Sequence, residues 1–569
     1  MSSAGEDLAA PHALQATEAP AGVAGRWWRA VVPLALVLAV FAAFLPTLAS
    51  EFVAWDDDLN FTENPYYRGL SPSHLRWMLT TLHGGHYQPL SWITLGLDYV
   101  VWSMNPVGYH LTNLVIHAAN AVLCYHVIAA LIARTSRAGD AGVRLAAAVG
   151  ALFFAVHPLR VESVAWASER RDVLSGFFYL LAVLGYVRMQ DGARGRWFVV
   201  SLAAFLLSLL SKAWGITLPV VLLALDWYPL RRSLRGRVLL EKVPYALIAL
   251  GFGVLAFRAQ EPIEAMRTFA QHGVIARVAQ AAYGLCFYLG KTIVPRALSP
   301  LYLLELQLDP SRLRYVLAIA GVLGITGVLV VLRRRVPGLL TAWVCYAVIV
   351  SPVLGFVQTG PQIAADRYTY LACLPWAVVV AGGVAALATA RAEGRLPVGA
   401  WYAALAASAV MLLVLGVLTF EQTRIWKDSR TLWEYVLRID PTNYLAYTNR
   451  GYLRTMAGDV QGGLADYDTA LAIHPGYALA YYDRGTARLQ AGALAAALAD
   501  LSRSIELNPR DPRAWNNRGS VRERTGDLGG AAADYAEALR RAPAEYPGRE
   551  MMVENLAFLA ALGVVPPSP

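Results

Sequence analysis

The feature that most constrains the fold of this chain is a series of apolar segments, each close to the length that a helix needs to cross a bilayer. The 569 residues are 57% hydrophobic and only 16% charged, which is typical of polytopic membrane proteins and not of soluble enzymes. We predict eleven spans, near residues 30–49, 108–132, 144–157, 173–187, 197–210, 214–230, 243–257, 312–332, 339–357, 368–390 and 399–420. Two further apolar segments, 89–103 and 274–294, are predicted to lie along the membrane surface.

The basic residues indicate how these spans are oriented. The net charge is +9, but the arginines fall in short loops between apolar segments, which points to membrane orientation and not to nucleic-acid binding. These loops alternate along the chain and contain Arg134/Arg137/Arg144, Arg188/Arg194/Arg196, Arg231/Arg232/Arg235/Arg237, Arg333/Arg334/Arg335 and Arg391/Arg395. Placing them in the cytoplasm puts the N-terminus inside and, after eleven spans, the C-terminus outside. The four cysteines are scattered through apolar sequence, so no disulfide framework or zinc site is predicted.

The last quarter of the chain contains an internal repeat. Four prolines recur at a period of 34 residues, at Pro441, Pro475, Pro509 and Pro543, and glycines, arginines and aspartates recur with them. A 34-residue period, with small residues where two helices cross and proline after the second helix, resembles the tetratricopeptide repeat. Residues 424–441 are predicted to form a half-repeat and residues 546–563 a capping helix. The predicted domains are a disordered tail (1–25), a transmembrane domain (26–420) and a repeat domain (421–569).

The loops predicted to face outward carry most of the polar residues that could do chemistry. The first contains Asp56, Asp57 and Asp58, followed by His86; the second runs from His157 to Asp172; the third contains Lys212; and the last leads to Tyr370. Each of these residues alone is more often a solvated, anchoring or core side chain than a catalytic one. Carboxylates, cations and aromatic rings on one membrane face would nevertheless suit a substrate with a charged head and a lipid tail.

Short motifs along nearly the whole chain match one family. They are Trp55-Asp-Asp-Asp58, Thr62-Glu-Asn-Pro65, Tyr109-His-Leu-Thr-Asn113, His117-Ala-Ala-Asn120, His157-Pro158, Glu162-Ser-Val-Ala-Trp166, Glu169-Arg-Arg-Asp-Val-Leu-Ser175, Thr217-Leu-Pro219 and Ala365-Asp-Arg-Tyr-Thr-Tyr-Leu371. With these motifs the chain resembles bacterial tetratricopeptide-repeat membrane proteins related to the transmembrane O-mannosyltransferases, in the GT-C glycosyltransferase superfamily. It departs from the family pattern at Tyr87-Gln88-Pro89-Leu90 and at Lys212-Ala213.

The resemblance implies an all-α fold, with a GT-C membrane bundle followed by a repeat solenoid. It also implies transfer of a sugar, mannose being one candidate, from a polyprenyl-phosphate donor to a protein hydroxyl outside the cytoplasm. Asp57 would be the general base with Asp56 beside it. The candidate donor-binding residues are Arg170, Arg171, Asp172, Lys212, Asp366, Arg367 and Tyr370, and those for the acceptor or sugar are His86, Glu162 and His157.

No cofactor is required for this chemistry, although Asp56, Asp57 and Glu162 could hold a divalent cation. The expected partners are the lipid-linked sugar, a protein or peptide acceptor in the repeat groove, and membrane lipids, with no nucleic acid. The expected location is the bacterial inner membrane, with the repeats periplasmic or extracellular. Two alternatives stay open: a non-catalytic membrane-anchored repeat scaffold for protein–protein interaction, and a transporter or flippase, which would place charges within the spans.

Overall fold

The protein is described by a computed structural model covering residues 23–260, 273–356, 360–542, 546 and 548–564. Most of the predicted N-terminal tail, Gln358 and Pro543 lie outside the described residues. The helices are α1 (Val23–Phe44), α2 (Pro72–Thr80), α3 (Pro89–Trp102), α4 (Pro106–Ile132), α5 (Gly139–Ala155), α6 (Val161–Ala165), α7 (Arg170–Arg188), α8 (Arg194–Ser211), α9 (Leu218–Trp227), α10 (Arg237–Leu240), α11 (Val243–Gln260), α12 (Val274–Ile293), α13 (Leu313–Val331), α14 (Pro337–Val350), α15 (Thr369–Ala372), α16 (Leu374–Ala392), α17 (Val398–Thr423), α18 (Ser429–Ile439), α19 (Tyr444–Met456), α20 (Val460–Ile473), α21 (Ala478–Gln490), α22 (Leu494–Leu507), α23 (Pro512–Arg524), α24 (Leu528–Arg541) and α25 (Arg549–Ala561). The described strands, β1 (Tyr302–Leu303) and β2 (Gln362–Ala364), pair antiparallel.

All eleven segments predicted to span the membrane are largely helical. In the described part of the chain, seven helices are long and apolar enough to cross a bilayer, or eight if α5 and the segment Pro158–Ala165, bent by 55° from it, form one broken span. The other three predicted spans correspond to α7, α9 and α14. Helices α9 and α14 have 10 and 14 residues, which at 1.5 Å per residue is well short of the ~30 Å hydrocarbon layer. The count of eleven therefore stays a prediction.

The centre of the membrane domain is α4, which packs against α1, α5, α7 and α16. Small residues allow the close approach of these helices. A methyl group on Gly150 of α5 would lie 2.6 Å from the carbonyl oxygen of Ala377 in α16. The largest hydrophobic cluster among the described residues joins these helices and continues to α9 and α14.

Helices α3 and α12 contact residues at one end of the bundle. On α3, Ser91 donates to the carbonyl oxygen of Ser211 at the end of α8, at 2.9 Å. On α12, the carbonyl oxygen of Thr292 is 3.0 Å from His157 Nε2, and Arg277 donates to the backbone of residues 355–356. Both ends of α12 thus reach residues on one side of the bundle, in agreement with a helix that lies along the membrane surface.

The repeat domain is a solenoid of paired helices, and the predicted 34-residue period is confirmed. The pairs are α19/α20, α21/α22 and α23/α24, with α18 as the half-repeat and α25 as the final helix. Gly458 and its equivalents Gly492 and Gly526 connect the two helices of each pair with φ between +77° and +88°, a conformation that costs a residue with a Cβ atom free energy. The predicted all-α fold class, a membrane helix bundle followed by a tetratricopeptide-repeat solenoid, is confirmed.

An ion-pair network explains why arginine and aspartate recur with the repeat. In the first repeat, Asp466 accepts hydrogen bonds from Arg450 and Arg454 at 2.6–3.0 Å. Asp500 and Asp534 bind the equivalent arginine pairs. Each aspartate is at most 4% exposed, so its charge requires these partners, and each network ties the two helices of one repeat together.

Candidate active site

Four of the loops predicted to face outward meet at one end of the membrane bundle. They contribute a group of charged and polar side chains that we call the polar cleft: Asp56, His86, Glu162, Glu169, Arg171, Asp172, Lys212 and Arg367. The loops themselves are tied together, since Asn60 of the first loop donates to Ser168 Oγ at 2.9 Å. Residues far apart in sequence therefore share one polar site.

Glu169 is the hub of the polar cleft, and the sequence reasoning did not select it. It is fully buried and binds Arg171 at 2.6 Å and Lys212 at 2.9 Å, with Arg367 3.6 Å away. Lys212 also contacts Asp172 at 2.6 Å, and Asp172 accepts a hydrogen bond from Ser163 at 2.8 Å. The signal that could have identified Glu169 is its place at the head of the motif Glu169-Arg-Arg-Asp172.

Glu162 fixes Arg367 by two contacts. Its carboxylate accepts a hydrogen bond from the Arg367 backbone N–H at 2.7 Å and forms an ion pair with the guanidinium. The same guanidinium lies 5.5 Å from the centre of the Trp166 ring. Asp366, beside it, accepts a hydrogen bond from Tyr302 at 3.1 Å, and burial raises the pKa of Asp366 well above its usual value. The last outer loop is therefore held rigidly against the second.

The two adjacent aspartates of the first loop have different surroundings. Asp57 is fully buried and accepts three hydrogen bonds, from the Val53 N–H at 3.0 Å, the Ser168 N–H at 3.0 Å and the Ser168 hydroxyl at 2.6 Å. Asp56 is enclosed by protein yet half-buried and not fully shielded from solvent, and its carboxylate accepts no hydrogen bond from the described residues. Sequence reasoning favoured Asp57 as the base, but an acceptor cannot reach its carboxylate without displacing these bonds. We therefore propose Asp56 in its place.

The electrostatics of the two carboxylates also differ. Burial raises the pKa of Asp57 to about 7. Burial raises the pKa of Asp56 too, while Arg171 and Arg367 act on it in the opposite direction. Burial is the larger influence, so the pKa of Asp56 stays above its usual value, as suits a carboxylate that must take up a proton.

His86 lines the edge of the polar cleft. It is surrounded by protein yet accessible to solvent, as expected for a side chain at the wall of an open cavity. With Lys212 it borders a cavity of about 180 Å³ between the first loop and α11. Burial, together with the charges of Arg171 and Lys212, lowers the pKa of His86, so its ring is neutral at pH 7.

Three residues predicted to bind donor, acceptor or sugar lie apart from the polar cleft. Arg170 is fully buried in an ion pair with Asp98 at 2.5 Å, because it leaves α7 in a different direction from Arg171. His157 is buried between Thr292 and its own loop. Tyr370 is buried, and its hydroxyl lies 2.8 Å from His117 Nδ1. All three bind neighbouring protein groups, and in the described structure none forms a hydrogen bond or ion pair with a residue of the polar cleft.

The cations of the polar cleft keep hydrogen-bond donors for a ligand. In the described part of the chain, no protein acceptor is bound by the third N–H of Lys212, by Arg171 Nη1 or by Arg367 Nη2. Such donors suit phosphate oxygens. The described residues contain no group of three or more His, Cys, Asp or Glu side chains arranged to hold a metal ion; Asp56, Asp57 and Glu162 are not brought together in this way.

An apolar cavity of about 500 Å³ lies among α4, α7, α9, α14 and α16. Tyr179, two turns along α7 from Asp172, and Ile349 are part of its wall. Trp214 links it to the polar cleft, since its indole N–H donates to the Ile349 carbonyl oxygen at 3.3 Å and its ring centre lies 4.8 Å from Lys212 Nζ. A ligand with a polar head in the cleft could therefore place an apolar tail between these helices.

A stack of four tryptophans connects the polar cleft to the repeat domain. Trp55, next to Asp56, lies 4.9 Å from Trp433 of α18 and 5.5 Å from Trp166. Trp166 in turn stacks on Trp426 at 5.7 Å. Backbone contacts accompany the stack, because the Ala54 N–H donates to Ser429 Oγ at 2.7 Å. The loop that carries Asp56 thus rests directly on the first helix of the solenoid.

Comparison with known proteins identifies a repeat family and relatives in sequence. A family model described as tetratricopeptide repeat matches residues 482–546. The chain is 35% identical to protein O-mannosyl-transferase TMTC4 of Homo sapiens over 144 residues, which are 23% of this chain and 19% of that protein. It is 34% identical to protein O-mannosyl-transferase Tmtc1 of Drosophila melanogaster over 185 residues, 31% of this chain and 20% of that protein. The chain spans about a fifth of the length of these curated relatives.

Among solved structures, the chain is similar to ArnT from Cupriavidus metallidurans bound to undecaprenyl phosphate. The identity is 14% and the TM-score 0.37, over 95% of this chain and 90% of that chain. The sequence matches, together with the helices long enough to cross a membrane and the 34-residue period, confirm the predicted resemblance. The chain is an integral membrane protein with tetratricopeptide repeats, related in sequence to the protein O-mannosyl-transferases.

Proposed function

We propose that this protein is a membrane glycosyltransferase of the GT-C type that moves a sugar from a polyprenyl-phosphate donor to a hydroxyl group of a protein. The observation that carries the proposal is the polar cleft, where an accessible carboxylate, Asp56, faces cations that keep free N–H donors. The names of the relatives, protein O-mannosyl-transferases, support mannose as the sugar.

The reaction is a direct displacement at the anomeric carbon. Asp56 takes the proton from the acceptor hydroxyl as its oxygen forms the new bond to that carbon. The bond between the anomeric carbon and the phosphate oxygen breaks, and the electron pair leaves with the lipid phosphate. Lys212, Arg171 and Arg367 stabilise the charge that develops on this phosphate. The paired carboxylates Glu162 and Glu169 hold the cations in position.

The apolar cavity among α4, α7, α9, α14 and α16 supports a donor that carries a lipid. Its volume of about 500 Å³ and its apolar walls fit several isoprene units. In this arrangement the phosphate lies in the polar cleft and the chain descends between α7, α14 and α16. Asp172 and Asp366 are proposed to contact sugar hydroxyls or to orient the neighbouring cations, and His86 to contact the sugar or the acceptor.

The repeat domain is proposed to present the protein acceptor. Its first helix supports the loop of Asp56. Burial and the charges of Glu63 and Asp58 raise the pKa of Tyr452 in the first repeat, which indicates that the three groups are close. A peptide in the groove of the solenoid would therefore pass beside the polar cleft. The proposed orientation keeps the arginine-rich loops cytoplasmic and both the cleft and residues 421–569 outside, which an export reporter fused after Pro569 would test.

The proposed activity is tested by incubating membranes that contain the protein with radiolabelled polyprenyl-phosphate mannose. Transfer of label to protein, lost when residues of the polar cleft are changed, supports the proposal. Transfer that is independent of the polar cleft, or none with any polyprenyl-phosphate sugar, contradicts it and favours the repeat scaffold.

A further inference from the structure

A second cavity, of about 830 Å³, lies at the junction of the membrane and repeat domains. It is separate from the polar cleft, and the reaction described above makes no use of it. Its walls come from the segment that follows α1, from Pro158, from the segment that follows α12, from the end of α17 with the turn after it, and from α18. We call it the junction pocket.

The junction pocket is strongly basic. Four cations line it, Arg296, Arg424, Lys427 and Arg438, with a single carboxylate, Glu421. Glu421 pairs with Arg424 at 3.1 Å. In the described part of the chain the other three cations form no ion pair, and all three are exposed. Three uncompensated positive charges around one cavity repel each other and would be stabilised by an anion.

The pocket lies at the depth of the lipid headgroups. Helix α17 has 26 residues and is about 39 Å long, so it exceeds the ~30 Å hydrocarbon layer by about two turns. Leu418 and Pro46, near the ends of α17 and α1, form part of the pocket's apolar wall. The cations of Arg424 and Lys427 follow immediately, at the point where both helices leave the hydrocarbon.

Membrane orientation does not explain these charges. The basic residues that set orientation, Arg391 and Arg395, precede α17 at its opposite end, and the bias concentrates cations on one side only. A group of cations at the other end of the same helix therefore requires a local reason. An apolar floor with a basic rim is complementary to an anionic phospholipid. The floor would contact the acyl chains and the rim would bind the phosphate.

We propose that the junction pocket binds the headgroup of an anionic phospholipid from the leaflet on the repeat side. The phosphate lies among Arg296, Lys427 and Arg438, and the acyl chains follow the outer surfaces of α1 and α17. The lipid would sit beside the short segment between Thr423, which ends α17, and Ser429, which begins α18. The proposal requires that α1 and α17 cross the membrane, and it does not depend on the glycosyltransferase activity.

The test uses the full-length protein in detergent and native mass spectrometry, with phosphatidylglycerol and phosphatidylcholine of identical acyl chains as probes. We expect the wild type to bind phosphatidylglycerol more tightly than phosphatidylcholine. In the variant that combines Arg296→Gln, Lys427→Gln and Arg438→Gln, the affinity for phosphatidylglycerol should fall on the order of fivefold for each cation removed. The matched control removes three exposed solenoid arginines, as Arg503→Gln, Arg510→Gln and Arg540→Gln, and should leave binding unchanged.

Equal binding of the two lipids, or an equal loss in the control variant, overturns the proposal. Glycerol phosphate without acyl chains provides a second arm. If it competes as well as the lipid does, the pocket binds a soluble anion and the lipid assignment is wrong. If the triple variant does not fold, Lys427→Glu alone is measured in the same way, and unchanged phosphatidylglycerol binding in this variant also contradicts the proposal.

Discussion

Replacing Trp433 with alanine should slow sugar transfer although Trp433 belongs to the repeat domain. The side chain is 2% exposed and stacks on Trp55 at 4.9 Å with an interplanar angle of 23°. Removing a buried tryptophan costs about 3–5 kcal/mol of stability. The aromatic pair itself contributes about 0.5–1.5 kcal/mol, and only this part acts on the loop that carries Asp56.

If that pair energy holds Asp56 in its productive position, its loss corresponds to about a twofold to tenfold lower kcat. The KM for the lipid donor should stay unchanged, because Lys212, Arg171 and Arg367 keep their partners. The assay is initial-rate transfer at varied donor concentration, at a temperature where circular dichroism shows the variant to be folded. Trp433→Phe, which keeps an aromatic ring against Trp55, should recover most of the rate.

The solenoid offers a matched control in Tyr535. It occupies the same repeat position as Trp433 three periods later, is 1% exposed, and packs inside the last repeat against Gly519. Tyr535→Ala should destabilise the solenoid by a similar amount and leave kcat unchanged. If Tyr535→Ala lowers kcat as much as Trp433→Ala does, the effect comes from general loss of the solenoid and the positioning argument is refuted.

Three further predictions follow from individual contacts. Because the pKa of Asp57 is about 7 in the folded protein and 3.8 ordinarily, the folded state holds a proton between these values that the unfolded state has lost, so stability should fall as pH rises from about 4 to 7. At about 1.4 kcal/mol per pH unit the upper limit is ~4 kcal/mol, and thermal unfolding of Asp57→Asn should show a flatter profile; a parallel profile contradicts the assignment. Gly485→Ala should cost about 1–3 kcal/mol, because the new methyl group would lie 2.9 Å from Leu501 Cγ, whereas Gly529→Ala, in open space on α24, should stabilise by about 0.4–1 kcal/mol; equal melting temperatures would disprove the close helix contact. Arg367→Ala should raise the KM for the donor, and Arg367→Lys should not restore it, because lysine cannot keep both the Glu162 ion pair and a second donor for phosphate; full activity of Arg367→Lys would move phosphate recognition to Arg171 and Lys212.

The sequence was sufficient for the features that depend on periodicity. The 34-residue spacing of Pro441, Pro475 and Pro509 placed the helix pairs of the solenoid, and hydropathy placed helices at all eleven predicted spans. The number of crossings could not be read in the same way. Helices α9 and α14 are apolar but too short to span the hydrocarbon layer alone. Tertiary packing decides which neighbouring helices they pack against.

The residues of the polar cleft were predicted as a region and not individually. Asp56 and Asp57 are neighbours, and which of them faces the cleft is decided by Ser168, a residue 111 positions away that binds Asp57. Arg170 and Arg171 are likewise adjacent on α7, but successive helix positions point about 100° apart, so Arg170 meets Asp98 while Arg171 meets Glu169. Neither choice has a signal in the local sequence.

The contact between the two domains could not be predicted from the sequence either. The half-repeat that contains Trp433 was predicted from the 34-residue period, and Trp55 from its place in a motif. The stacking of the two rings depends on the direction in which the chain continues from α17 into the solenoid. The 34-residue period contains no information about that direction. The structure therefore adds to the sequence prediction that the repeat domain touches the proposed site directly.

The central claim is that Asp56 is the general base of sugar transfer in the polar cleft. The most direct measurement compares transfer from polyprenyl-phosphate mannose by the wild type, Asp56→Asn and Asp58→Asn, each purified and shown to be folded. Asp58 is the matched control, because it lies in the same loop and its carboxylate accepts a hydrogen bond only from the neighbouring Leu59 N–H in the described structure. We expect Asp56→Asn to lose about 10²–10⁴ in kcat and Asp58→Asn to stay near the wild type. Wild-type turnover by Asp56→Asn would contradict the account.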